Sequence, residues 1–300
     1  LNGGNGYRHY SAPVTNTTVA DLAAPGFAPE LSQAAAYNSS ATPGLVTPFP
    51  NVFGYDESRI GTTTNDLSDF AKGWFAPASV GAALLPGHGY TVNTPSAALV
   101  DFRGTFNTGN LTLGGLTRGA SADAGWHLLG NPYPSPLDWS LLPANSFSNV
   151  DAAVYVYRSS GPYTGNYVSY VNGIGGSQQL AAGQGFFVRV STPGTGSLTL
   201  TNGSRVTSFG LQAGFYRPTA DTRAQVQLHF AGPGVSDDAY VYFEQGASPG
   251  FDAQFDAYKV PTFTPTLALA LASGSTAVLK PAPPARRCAA ELVRAFHDAG

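Results

Sequence analysis

Apolar residues recur at every second position in short runs, and each run is closed within a few residues by glycine, proline or asparagine. In "AQVQLHF" (224–230), Val226, Leu228 and Phe230 fall on one face and Gln225, Gln227 and His229 on the other. That is the period of a half-buried strand, because successive side chains of an extended backbone point to opposite faces. "AYVYFE" (239–244) alternates Tyr240 and Tyr242 against Val241 and Phe243, which predicts neighbours on both faces. Further strands are read at "GYTVN" (89–93), "ALVDF" (98–102), "LTL" (111–113), "AVYVYR" (153–158), "YVSYV" (167–171), "GFFVRV" (185–190) and "SLTLT" (197–201). With 36 glycines, 23 prolines and no methionine, the chain favours short strands and tight turns over helices. The predicted class is all-β, built from sandwich- or jelly-roll-like units with few short helices.

Charge narrows the partners. The formal net charge is −3 and charged residues make up 11%, so no basic stripe is available for phosphate contacts and nucleic acid is not expected. No run of about 20 apolar residues predicts a transmembrane helix. Cys288 is the single cysteine, so neither an intrachain disulfide nor a cysteine metal site is possible. The chain opens at Leu1, which predicts a fragment whose true start, with any signal peptide, lies upstream.

An internal duplication organises the sequence. "YRHYSAPVTNTTVADL" (7–22) and "WHLLGNPYPSPLDWSLL" (126–142) each open on an aromatic residue with a proline six residues later, Pro13 and Pro132. Each then carries a capping-box pattern, Thr18-x-x-Asp21 and Ser135-x-x-Asp138. "NVFGYDE" (51–57) matches "AVYVYR", and "LLPGHGYTV" (84–92) matches "LAAGQGFFV" (180–188). The competing explanation is chance similarity in glycine-rich β sequence. The expected units are 1–120 and 121–214 as two related copies, 215–275 as a third, partial β unit that includes "TLALAL", and 276–300 as an atypical tail. That tail, "KPAPPARRCAAELVRAFHDAG" and its flank, reads either as a shifted frame or as a genuine C-terminal helix.

The stretch "GNPYPSP" has prolines at 132, 134 and 136. Their missing N–H groups all lie on one edge, so the strand "GWHLL" must leave its sheet there. Ser135 is then expected to cap a short helix, with Pro136 at its first position, Asp138 as the capping acid, and Pro134 and Trp139 as a hydrophobic staple.

Candidate chemistry is sparse. "GASPG" (246–250) fits the nucleophile-elbow spacing, but the residue after Ser248 is Pro249, which has no N–H for an oxyanion hole. His9, His88, His127, His229 and His297 show no paired metal-ligand spacing. Asp56–Glu57, Asp237–Asp238 and Asp252 with Asp256 are the acid candidates, and the sequence leaves open whether any two face one cleft. "PGHGY" and "AGQGF" lack a dinucleotide fingerprint and read as tight turns leading into strands, where glycine permits positive φ. Trp74, Trp126, Tyr133 and Trp139 could stack on sugar rings, and Trp126, Tyr133 and Trp139 are the designated glycan-stacking candidates. No catalytic, metal-binding or cofactor-binding residue is assigned.

"GWHLLGNPYPSPLDW", "LAAGQGFFVRV", "LVDFRGTFNTG" and "FDAQFDAYKV" resemble the large surface and secreted proteins of the Bacteroidota, which commonly end in a type IX secretion C-terminal sorting domain. The resemblance covers most of residues 5–272. It implies export to the cell surface or exterior, a β-sandwich-rich body and often an adhesin-like role, with other surface proteins or extracellular glycans as partners. It carries no catalytic residues. The charged tail departs from the pattern, and no sorting domain is visible. The expected function is therefore a non-enzymatic structural or adhesin-like surface module. A carbohydrate-binding module serving polysaccharide degradation comes second, and a hydrolase third.

Overall fold

The computed structural model describes residues 6–95, 100–206, 223–232, 235–248, 250–260 and 262. Its strands are β1 (Gly6–Tyr10), β2 (Val52–Tyr55), β3 (Trp74–Phe75), β4 (Tyr90–Thr94) and β5 (Leu111–Arg118). Next along the chain are β6 (Trp126–Gly130), β7 (Leu137–Asp138), β8 (Phe147–Ser148), β9 (Val154–Ser159) and β10 (Gly165–Val171). Then come β11 (Ile174–Gly175), β12 (Gln179–Leu180), β13 (Gly185–Arg189), β14 (Gly194–Leu200), β15 (Gln225–Gly232) and β16 (Val235–Tyr242). The protein is all-β with a few short helices, and its described sheets are antiparallel.

Two sheets share one plan. The first has the order β1-β4-β2-β3, the second β11-β10-β9-β13-β6. In both, the opening strand of the copy pairs with the strand after the glycine turn, which in turn pairs with the strand between them. The register agrees residue by residue. His9 opposes Thr91 as Leu128 opposes Phe187, Tyr10 opposes Tyr90 as Leu129 opposes Phe186, and Phe53 opposes Thr91 as Tyr155 opposes Phe187. These are the positions that the sequence match aligns. A one-residue slip in either strand would turn every side chain to the wrong face.

The two sheets are covered differently. One face of the second sheet (Leu129, Val154, Phe186, Val188) packs against Leu113, Leu116, Leu198 and Leu200 of a three-stranded sheet ordered β5-β14-β8. This is a β-sandwich. The other face (Trp126, Leu128, Tyr155, Tyr167, Phe187) packs against Phe70 of the first copy and Val260 of the C-terminal stretch. With both faces covered, β13 is buried along its whole length, which explains its unbroken apolar run. The first sheet has no second sheet over it among the described residues. Its core is closed instead by Val19 and Leu22 of a 3-10 turn, Leu31, and Ala34 and Tyr37 of a short α-helix, against Tyr10, Val52, Tyr90 and Val92.

Several expectations are corrected. Among the described residues, the first copy is a sheet covered by short helices rather than by a second sheet. A boundary at residue 120 would sever β5 from β14, its partner from Leu111↔Leu200 to Arg118↔Gly194. The described part of the third region is one hairpin, β15–β16, whose β16 lies against β10 and β11, followed by an irregular stretch to Val260. Val241 and Phe243 are exposed, so "AYVYFE" is covered on one side only among the described residues. Val226 and Leu228 are buried opposite exposed Gln227 and His229, as the alternation requires. Val100–Phe102, the described part of "ALVDF", is not a strand, and Val100 and Phe102 pack half-buried on the first core. "TLALAL", the tail and Cys288 lie outside the described residues.

Candidate functional site: the junction between the copies

The motif segments converge where the two copies meet. Gly87 and Gly183 adopt left-handed backbone with φ of 77° and 65°, as the tight-turn reading demands. Each turn then docks on the other copy. Ser11 N–H donates to Gly183 O (2.7 Å), and Gly130 N–H donates to Gly87 O (2.9 Å). Ser11 and Gly130 are equivalent in the duplication, as are Gly183 and Gly87, so the exchange is reciprocal about a local two-fold. Short bridges extend it, Tyr10 to Gln184 and Leu129 to His88. At the centre, a Cβ on Gly130 would overlap Ser11 Cβ, and one on Gly185 would lie 2.7 Å from His9 Cβ.

His9 projects from β1 into the second copy. Its ring stacks on Tyr157 (centroids 5.1 Å) and meets Trp74, Tyr167 and Phe187. Nε2 is hydrogen-bonded to the Tyr167 hydroxyl at 2.9 Å, and Nδ1 has no hydrogen-bond partner. Burial pushes its pKa from 6.5 down to about 3, so the ring is neutral in the folded protein at ordinary pH. A neutral imidazole among aromatic faces acts here as core packing.

"GNPYPSP" ends β6 as the proline argument predicts, but Asn131, not Ser135, organises the proline-rich turn. Fully buried, Asn131 accepts from Tyr133 N–H through Oδ1 (3.0 Å). Its Nδ2 donates to the carbonyls of Ser135 (2.9 Å) and Ala181 (3.0 Å). The side chain thus supplies donors that the three prolines cannot. Ser135 Oγ instead accepts from Arg205 Nε (3.0 Å). The helical turn begins later, at Trp139–Leu141, capped by Asp138, which accepts from Ser140 N–H at 3.0 Å. Pro134 is exposed while Trp139 is buried, so no staple forms. The first copy keeps its expected cap, with Asp21 accepting from Thr18 N–H at 2.8 Å. An asparagine directly before a proline run was the available signal for Asn131, since its side chain can bond the backbone two residues on.

The three glycan-stacking candidates are core residues. Trp126, Tyr133 and Trp139 are 2%, 1% and 4% exposed. Trp139 Nε1 donates to Ala152 O (2.7 Å), and its ring packs on Phe147 and Phe186. The Tyr133 hydroxyl donates to Gly109 O (2.6 Å) beneath the Arg205 guanidinium. Trp126 packs edge-on against Tyr155 and Phe70, with Arg189 over its ring at 5.2 Å. Sugar stacking needs an open ring face, and none of the three has one. Trp74 is half-buried, edge-on against Tyr55 and Phe187.

The acid candidates are engaged separately. Buried Glu57 ties the copies together, accepting from Thr117 Oγ1 (2.7 Å), Gly119 N–H (2.8 Å) and Gly125 N–H (3.2 Å). Asp56 caps Ser58. Asp237 pairs with Lys259 at 2.6 Å and Asp238 with His229 at 2.8 Å. His127 Nε2 is hydrogen-bonded to Thr117 O. Ser248 Oγ donates to Gly250 O, while Pro249 and His297 lie outside the described residues. Among the described residues, no group of three or more His, Cys, Asp or Glu could hold a metal ion, and no helix is long and apolar enough to cross a membrane.

Comparison with curated proteins and with solved structures returns no match. A family model described as a domain of unknown function, DUF8693, matches residues 4–277, and the chain belongs to that family.

Proposed function

We propose that the chain is a non-enzymatic, exported structural or adhesin-like module of the cell surface. The observation that supports this most is where the motif residues go. "GNPYPSP" and "GQGFFV", which carry the resemblance to surface proteins, supply Gly130 and Gly183 to the reciprocal lock between the copies, and the side chains of Asn131, Tyr133 and Gln184 bond backbone groups. Such a lock joins the two units through paired backbone hydrogen bonds, which suits a module that bears or displays something else. Protease treatment of intact cells producing the full-length protein tests the reading. Cleavage of this chain at the exterior, with a cytoplasmic marker untouched, is the expected result. A chain protected until the cells are lysed would overturn it.

A further inference from the structure

Residues 251–260 form a turn closed by its own atoms. Asp252 N–H donates to Asp256 Oδ2 (2.7 Å), Gln254 N–H to Asp252 Oδ1 (3.0 Å), and Asp256 N–H to Asp252 O (2.8 Å). The rings of Phe251 and Tyr258 stack across it, with centroids 4.1 Å apart. A loop of residues 245–248 leads into this turn. All four are exposed, and Gly246 has left-handed backbone with φ of 90°. The bonds there are local, from Ala247 N–H to Glu244 O (3.4 Å) and from Ser248 Oγ to Gly250 O (3.0 Å).

The turn plugs into the second copy. Ala152 N–H donates to Ala253 O (2.8 Å), Tyr258 N–H to the Tyr155 hydroxyl (2.8 Å), and the Tyr242 hydroxyl to Phe255 O (2.6 Å). The Tyr258 ring lies 4.1 Å from the Arg189 guanidinium and meets Trp126 edge-on. Val260 is buried in the cluster that holds Trp126, Leu128 and Phe187. Charges match as well, since Lys259 Nζ donates to Asp237 Oδ1 (2.6 Å) and to Asp238 O of β16. The hairpin that carries β16 is tied to β10 and its turn, by Asn166 Nδ2 to Ser236 O (2.7 Å) and Asn172 Nδ2 to Glu244 Oε2 (2.8 Å). These receiving groups all precede the exposed loop in the chain, and the plug follows it.

We propose that this surface docks the 251–260 turn of a second copy of the chain, so that two copies join by exchanging plugs about the exposed loop. The exchange keeps every contact named above between plug and receiving surface, and only the loop changes conformation. The plug is closed by its own bonds, so little ordering entropy is lost when it docks. Its Lys259 meets a carboxylate whose side chain is 4% exposed, which fixes the register of docking. Docking within one chain and between chains compete through effective concentration, so exchange rises with the local density of the protein. The inference goes beyond the surface-module reading and does not depend on where the chain resides.

Cysteine trapping in the full chain, in a Cys288→Ser background, tests it. The backbones of residues 152 and 253 are hydrogen-bonded, which brings them within disulfide reach. A chain carrying both Ala152→Cys and Ala253→Cys should oxidise within itself. The two single variants, produced together in one cell and then oxidised, should give a disulfide-linked species with the mass of two chains, one of each kind. Its yield should rise with protein concentration. Adding Tyr258→Ala and Val260→Asp to the Ala253→Cys chain should cut that yield about tenfold or more. A double variant that fails to oxidise would overturn the docking geometry, and with it the proposal. Single variants that never cross-link, that link like with like as readily as with each other, or whose linkage survives the plug substitutions would each overturn it too. None of these outcomes bears on the protease-exposure result, so either reading can fail alone.

Discussion

The two copies have the same strand order and the same register, yet they solve different packing problems. In the second, Phe187 occupies the position that Thr91 holds in the first. Phe187 meets the rings of His9, Tyr55, Phe70, Trp74, Trp126 and Tyr167, so it joins the two copies. Thr91 is buried but makes no such bridge. The opening strand of the first copy is followed by one proline, and that of the second by three with a buried Asn131 where the first has Ala12. Shared backbone geometry therefore fixes the frame, and the side chains of each copy decide what covers it.

Substitutions at equivalent positions can break this comparison. Phe187→Ala should have the largest effect, about 3–5 kcal/mol, because a ring central to the inter-copy core is lost. Thr91→Ala should cost about 1 kcal/mol, and chemical denaturation of both variants measures the difference. Equal costs would mean that the inter-copy core contributes little. Gly130→Ala should cost about 3 kcal/mol, since its Cβ meets Ser11 Cβ rather than a flexible side-chain end. The double variant Ser11→Gly with Gly130→Ala should recover much of that loss in the same assay, which places the clash at the local two-fold. Asn131→Ala should cost about 2 kcal/mol by leaving buried backbone groups unpaired. The reverse change, Ala12→Asn in the first copy, should gain no stability.

A further effect is set by pH. His9 is held near pKa 3 when folded and returns toward 6.5 when unfolded. Between those values the unfolded chain binds the extra proton. Stability is therefore full above about pH 6.5 and falls as pH drops toward 3, by up to about 1.4 kcal/mol per pH unit. His9→Leu installs the residue that the second copy carries at Leu128, and denaturation midpoints across pH 4–7 should lose this component. An unchanged pH profile in that variant would show that His9 is not its source.

Strands, turns and the strand stop were legible because their causes are local. Period-two alternation gave Val226 and Leu228 their buried face, and left-handed backbone required Gly87 and Gly183. The sites were less legible. Trp126, Tyr133 and Trp139 looked like binding rings, because a sequence shows that a ring is present but not what covers it. Burial came from partners far along the chain, as in the bond from His9 to Tyr167, 158 residues apart. Asn131 was missed because its role appears only once the carbonyls of Ser135 and Ala181 are brought together.

The sequence by itself determined an all-β chain, the matching segments of its two halves, and the exit of the chain from the sheet at Pro132. Backbone sterics and missing N–H groups act within a few residues, so no tertiary information was needed. Only the tertiary structure decided that, among the described residues, a second sheet covers one copy and short helices the other, that the glycine turns lock each copy to its twin, and that Trp126 is buried rather than open to solvent. Those outcomes depend on which distant surfaces exclude water from one another, and alternation along a single strand contains no record of that.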